Sequence, residues 1–292
     1  MARVALVTDS TSDMPRPTAA EVGVTVVPLT LTLDGTSYRD GIDITTDEFY
    51  RRLTASSGIA TTSQPSPGAF AEIYEELLRT HDEILSLHIS STLSGTVSSA
   101  QQAADLVAKD RITVVDTHLV SMALGLGVYA GLRILQDGAT AQDAASRLQG
   151  VLGSVRVYCM VDTLEYLRRG GRIGRAGALV GSVLQVKPVL TLQDGTVSPL
   201  ERVRTRERAL RRVIELAEQT SPRLCAIVGQ ALAQESAERI SNAIAERCES
   251  LLQLPLGPIV GTHAGPGTVG LACYPAELLP LGLGVQVGAG RS

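Results

Sequence analysis

The sequence contains no tryptophan, and its aromatic residues are limited to seven Tyr and two Phe. Any ligand pocket is therefore walled mainly by Leu, Val, Ile, Ala and Met, which suits a flexible aliphatic ligand better than a stacked base. An excess of positive charge is also missing: 26 Lys and Arg stand against 30 Asp and Glu, a net charge of -4. That balance removes the basic footprint that phosphate-backbone binding needs and excludes DNA or RNA as bulk partners. No stretch reaches the ~18 uninterrupted apolar residues of a membrane span. The opening run Val4-Ala5-Leu6-Val7 is shorter than a signal h-region and soon meets Asp9. These absences lead us to expect a cytoplasmic protein with no membrane segment.

Cys159, Cys225, Cys248 and Cys273 form no Cys-x-x-Cys pair, and His81, His88, His118 and His263 show no metal-ligand spacing. Buried free thiols, no metal and no cofactor are the expectation. A Walker A loop and a Gly-x-Ser-x-Gly nucleophile elbow are both absent. The nearest approach to a dinucleotide fingerprint, Gly125-Leu126-Gly127-Val128-Tyr129-Ala130, lies inside an apolar helical stretch and reads as helix packing.

What is present is a strand–loop–helix alternation. At 292 residues the chain is long enough for roughly two domains. β-branched runs near residues 4–7, 24–29, 84–89 and 112–115 alternate with helical segments, which predicts a wound α/β/α N-terminal domain over residues 1–153. The second half predicts strands at 155–161, 188–192 and 197–200, a basic helix at 204–216, a strand at 224–228, a helix at 236–248 and strands near Ile259 and Leu271. These make a smaller α+β C-terminal domain over residues 154–285. The Gly-rich ending from Leu279, with residues 286–292 as its tail, is expected to fray. Without a long linker the two domains should share an extended interface, where ligand sites often form.

Two hydroxyl-rich loops follow neighbouring strand–helix units. Thr61-Thr62-Ser63-Gln64-Pro65-Ser66 ends in a Ser cap with Pro at the first helical position, so an ordinary helix start is its plainest reading, with anion binding beside it. In Ser90-Ser91-Thr92-Leu93-Ser94-Gly95-Thr96 a hydroxyl and a Cβ-free residue meet at a strand-to-helix turn, where backbone N–H groups favour a carboxylate or phosphate. The arginines around Arg168-Arg169-Gly170-Gly171-Arg172 and Arg202 to Arg208 read either as a solvated basic face or as a docking or phosphate-clamping surface. His263, before Gly265-Pro266-Gly267, is placed in a tight turn facing the cleft. Asp9, Asp13 and Asp116 end strands and read as loop caps.

Taken in order, these segments, with Val115-Asp116-Thr117, Leu164-Glu165-Tyr166-Leu167 and Lys187-Pro188, resemble the DegV family of bacterial fatty-acid-binding proteins, over nearly the whole chain. The resemblance implies a two-domain α/β protein with a long acyl chain, such as palmitate or oleate, buried inside. It further implies that Thr62 and Ser94 hydrogen-bond the carboxyl, with His263, Arg172, Ser63 and Gly95 near the head group. In the fatty acid kinase systems of that family a separate ATP-binding subunit phosphorylates the bound acid, and Arg204 is expected to help dock it. The chain would then be a carrier or substrate-presenting subunit with no catalytic residue of its own. The alternative from another class is a phosphate or ester hydrolase or transferase using Asp9, Ser94 and His263.

Overall fold

The computed structural model describes residues 2–56, 58, 60–179 and 187–286. The chain opens with β1 (Val4–Asp9), α1 (Arg16–Glu21), β2 (Val24–Val27), β3 (Thr30–Leu33), β4 (Thr36–Arg39), α2 (Thr46–Ala55), β5 (Thr61–Ser63) and α3 (Pro67–Leu77). There follow β6 (Glu83–His88), α4 (Thr96–Val107), β7 (Ile112–Asp116), α5 (Met122–Gln136) and α6 (Ala141–Ser154). The second half holds β8 (Arg156–Met160), α7 (Glu165–Arg169), β9 (Lys187–Gln193), β10 (Thr196–Val203), α8 (Arg206–Thr220) and β11 (Leu224–Gln230). It ends with α9 (Gln234–Ile244), β12 (Cys248–Pro255), α10 (Pro258–Ala264), β13 (Val269–Pro275) and β14 (Gly284–Val285).

A parallel sheet in the order β2-β1-β6-β7 occupies the first half. Its strands are apolar on both faces, as a sheet covered by helices requires. Ala5 and Val7 point with Ile84 into a core shared with Phe70 and Tyr74 of α3 and the alanines of α4. Leu6, Leu85 and Leu87 point the other way, onto α5 and α6. A seven-stranded mixed sheet, β10-β9-β8-β13-β11-β12-β14, forms the second half. One face packs on α8 and α9, and the other presents Val157, Cys225, Ile227 and Tyr274 to the core of α5 and α6. The α5–α6 layer is thus common to both sheets, which explains why α5 is apolar almost all round, with eleven buried residues.

Local chemistry sets the helix starts. Thr45, Ser66, Thr140 and Thr205 each accept a backbone N–H as side-chain caps, and Pro67 supplies the favoured first helical residue of α3. Asp34–Gly35 turns the β3–β4 hairpin, both at positive φ.

Three expectations need correction. The segment around Ile259 is the helix α10 rather than a strand: Pro258 opens it, and its apolar residues pack on α2 and on the first turn of the chain. The helix expected over 236–248 ends at Ile244, and Cys248 opens β12, a strand not anticipated from the sequence that its pairing with β11 decides. Fraying from Leu279 is not observed through Gln286. Glu249 accepts the N–H groups of Leu281 and Gly282 at 3.1 and 2.9 Å, and Gln286 N–H reaches Leu251 O at 2.8 Å. Ser57 and Ile59, just before the first hydroxyl-rich loop, and residues 287–292 of the expected tail lie outside the described residues. Among the described residues no helix is long and apolar enough to cross a membrane.

Candidate functional site

In the parallel sheet the strand order reverses between β1 and β6, so the loops at their carboxyl ends diverge and leave a crevice. A cavity of about 480 Å³ opens there, between the two sheets, within the usual ~300–1,000 Å³ of small-ligand pockets. Leu29, Ile89, Leu93, Val120 and Met122 form its wall from the first half of the chain. Val157, Val161, Leu190, Leu192, Leu256 and Ile259 supply the wall from the second. Its polar lining includes Thr62, Ser63, Gln64, Ser94, Arg172 and His263, and among the described residues no Phe or Tyr lines it.

These polar residues arrive from four elements. Thr62 sits on β5, which pairs with β3 through Leu31, so the hydroxyl-rich segment expected as a loop is a short strand at this point. Ser94 precedes α4, where Gly95 is the N-cap residue. Ser94 Oγ lies 2.8 Å from Thr96 Oγ1, and Ser94 N–H donates to Ser90 O at 3.1 Å. Arg172 donates from Nε to Leu93 O at 3.2 Å and from a terminal nitrogen to Gly170 O at 2.7 Å, tying the Gly-Gly-Arg turn to the loop that bears Ser94.

His263 stands in the last turn of α10, not in the tight turn that the sequence suggested; Gly265 and Gly267, at positive φ, make the turn just after it. Its Nε2 lies 2.8 Å from Thr62 Oγ1, and its buried Nδ1 has no hydrogen-bond partner. Burial, helped by the Arg172 guanidinium, pushes its pKa down to about 4, so the ring is neutral near pH 7 and carries one proton. We assign that proton to Nε2, where Thr62 Oγ1 accepts it; the other tautomer would bury an N–H with nothing to receive it. Thr62 then keeps its own hydroxyl proton free to donate into the cavity.

Gly170 and Gly95 each have a steric role toward one particular side chain, which sequence reasoning did not see. A Cβ built on Gly170 would collide with His263 Nδ1, and one on Gly95 would collide with the Gln64 side chain. Gly170 and Gly95 are seats for the groups lying across them. The signal was visible as Gly-Gly beside Arg, but its partner His263 lies far along the chain.

Asp9 is not brought to Ser94 or His263, which removes the acid–base–nucleophile set of the enzymatic alternative. Its Oδ2 lies 3.0 Å from His88 Nδ1 and accepts the Ile89 N–H at 3.0 Å, and its Oδ1 accepts from Thr11 Oγ1 at 2.5 Å. His88 Nε2 is 2.7 Å from Ser86 Oγ, itself 2.8 Å from Tyr74 OH. All five side chains are fully buried, so this network braces β1, β6 and α3 rather than meeting a substrate. Asp116 caps the next loop by accepting the His118 N–H at 3.0 Å. Asp13 spans the two halves: its Oδ1 accepts the Gly257 N–H at 2.9 Å, and its Oδ2 lies 2.5 Å from Ser121 Oγ. Arg204 is exposed in the β10–α8 connection and is not among the residues lining the cavity.

Residues 3–276 match the DegV family, described as uncharacterised. The chain belongs to the DegV family. A DegV domain-containing protein of Caldanaerobacter subterraneus is 36% identical over 278 residues, covering 93% of this chain and 98% of the relative. A solved DegV family protein from Thermus thermophilus, described by its fatty acid binding, is 38% identical with a TM-score of 0.88, covering 93% of this chain and 99% of that one. A stearic acid-binding protein from Eubacterium ventriosum is 28% identical with a TM-score of 0.85, covering 93% and 98%. The mixed α/β architecture described above is thus that of DegV proteins, and structural neighbours of this DegV chain bind fatty acids.

Proposed function

We propose that this DegV family protein binds one long-chain fatty acid, its acyl chain in the cavity between the sheets and its carboxyl on the hydroxyls of Thr62 and Ser94. The observation that carries this reading is an aliphatic cavity whose polar lining gathers Thr62, Ser94, Arg172 and a neutral His263. Burying each methylene stabilises by ~0.8 kcal/mol, so about a dozen contribute on the order of 10 kcal/mol before ordering costs. The carboxylate must be compensated on entering such a site. Hydroxyl donors from Thr62 and Ser94, with backbone N–H groups at Gly95 and the Arg172 charge nearby, supply that compensation. Ser63 and Gly95 flank the head group in this reading, and no metal or other cofactor is required.

The chain carries no nucleotide-binding motif, so the bound acid is presented to chemistry done elsewhere. An ATP-binding fatty acid kinase subunit in the cytoplasm, meeting the exposed Arg204 region and phosphorylating the carboxyl, fits that role. The test is native mass spectrometry of protein purified from cells, followed by lipid analysis of what denaturation releases. A stoichiometric C16–C18 acid supports the reading, since stearic acid is bound by a structural neighbour. Protein that carries no acid and takes up none would sink it. Thr62→Ala with Ser94→Ala removes two hydrogen bonds to a charged group, each worth ~1.5–3 kcal/mol. Affinity should fall by at least tenfold with the circular dichroism unchanged, and unaltered affinity would refute the site assignment.

A further inference from the structure

The hairpin β9–β10 forms one edge of the seven-stranded sheet, and its two halves are held differently. At its base β9 pairs with β8 at two positions, Met160 with Val189 and Cys159 with Leu190. Pro188, Val189 and Leu190 are buried there, and Lys187 donates to Asp162 Oδ1 at 3.2 Å. β10 shifts register between Pro199 and Glu201, directly opposite Leu190 and Val189. A bulge bends a strand and loosens its ladder locally, and this one stands level with the last tie to β8.

Beyond that bend the hairpin overhangs the cavity, which Thr191, Leu192 and Val197 line. Its tip, Asp194–Gly195, has positive φ at both residues, 52° and 73°, the geometry of a tight two-residue hairpin turn. The tip lands on the loop that presents Ser94. Thr92 Oγ1 donates to Gly195 O at 2.7 Å, and Gly195 lies so close to Ser90 Oγ that a Cβ would collide with it. Ser90 O is the acceptor of the Ser94 N–H. Arg175 and Asp194 add an exposed ion pair at 3.3 Å, which counts for little.

We propose that the outer half of this hairpin, residues 191–198, is a strap over the acyl chain, lifting about the bulge to admit and release the ligand and latched when Thr92 holds its tip. The proposal rests on the fatty-acid reading above. A long chain needs a wide path in and out, and exchange takes the route that breaks the fewest interactions. The parallel sheet and the α5–α6 layer can part only by losing full ladders or buried core. The strap keeps its own ladder when it swings, because its hydrogen bonds run within the hairpin, and it gives up the tip contacts, the packing of Thr196 and Val197 on Gly174 and its neighbours, and its apolar cover of the cavity. The latch loop also bears Ser94, so a seated carboxyl and a closed strap favour one another.

A disulfide across the latch tests this. Thr92 Oγ1 and Thr196 Oγ1 are 3.5 Å apart, so Thr92→Cys with Thr196→Cys should cross-link on mild oxidation, with each single variant controlling for the native thiols. The readout is the rate at which bound radiolabelled oleate exchanges with excess unlabelled oleate. Oxidation of the double variant should slow exchange at least tenfold and reductant should restore it. Thr92→Val, which removes the latch alone, should speed release several-fold. Exchange at the wild-type rate with the disulfide confirmed by mass overturns the strap, as does a pair that will not cross-link. Failure of both wild-type and reduced double variant to bind oleate would instead strike the fatty-acid reading, and the strap would fall with it.

Discussion

Gly170 makes the clearest case at the scale of single residues. It accommodates His263 by having no side chain, and His263 in turn fixes the direction of the Thr62 hydroxyl. Gly170→Ala should expel the imidazole from its buried seat. The His263 pKa, now about 4, should then rise toward the ordinary ~6.5, and fatty-acid affinity should drop roughly tenfold, or about 1.4 kcal/mol. NMR titration of the ring checks this; a resonance still titrating near its wild-type value would mean that α7 moves instead. The sign for stability follows from the same shift. The folded pKa lies below the unfolded one, so the unfolded chain takes up the proton first. The stability that the neutral ring contributes is present above ~6.5 and drains away as the pH falls toward about 4. The alanine variant should show less of that acid sensitivity.

At the scale of elements, α10 is positioned at both ends: His263 meets Thr62 near its C-terminus, and Gly257, its N-cap residue, donates to Asp13. Burial, with the nearby Asp40 and Asp9 carboxyls, pushes the Asp13 pKa up to about 8. Asp13 accepts from Ser121 Oγ through one oxygen and from the Gly257 N–H through the other. Asp13→Asn keeps an oxygen for Gly257 and has no proton to lose. Because the folded pKa is raised, wild-type stability falls relative to the variant as pH climbs from the ordinary carboxylate range, ~4, to about 8, and levels off above that. Thermal unfolding of both proteins across that window checks it; parallel curves would show that Asp13 ionises freely in the folded state. The same elements show what could be read from sequence. The α3 cap, the Asp34–Gly35 turn, the parallel β1 and β6 runs and the loop bearing Ser94 were legible because each is decided by neighbours a few residues away. The strand β12 and the helix α10 were not. Residues 248–264 are apolar without a clear period, and pairing with β11 and packing on α2 choose the outcome. Thr62 and Ser94 were identifiable as hydroxyls near helix starts, whereas the contact between Thr62 and His263 spans 201 positions and no local pattern announces it.

On the scale of the whole molecule, two sheets share one helical layer and keep between them a cavity of about 480 Å³ walled largely by aliphatic side chains. Volume of that kind disappears when a chain unfolds, and hydrostatic pressure favours whichever state occupies less space. A fatty acid lying in the cavity converts compressible space into packed matter, so the loaded and delipidated proteins should part company under pressure more than under heat. Tyrosine fluorescence followed in a pressure cell should place the unfolding midpoint of delipidated protein well below that of protein reloaded with oleate, and coincident midpoints would mean that the acid does not fill the space. For an organism living at depth, this protein's mechanical robustness would then depend on its lipid supply.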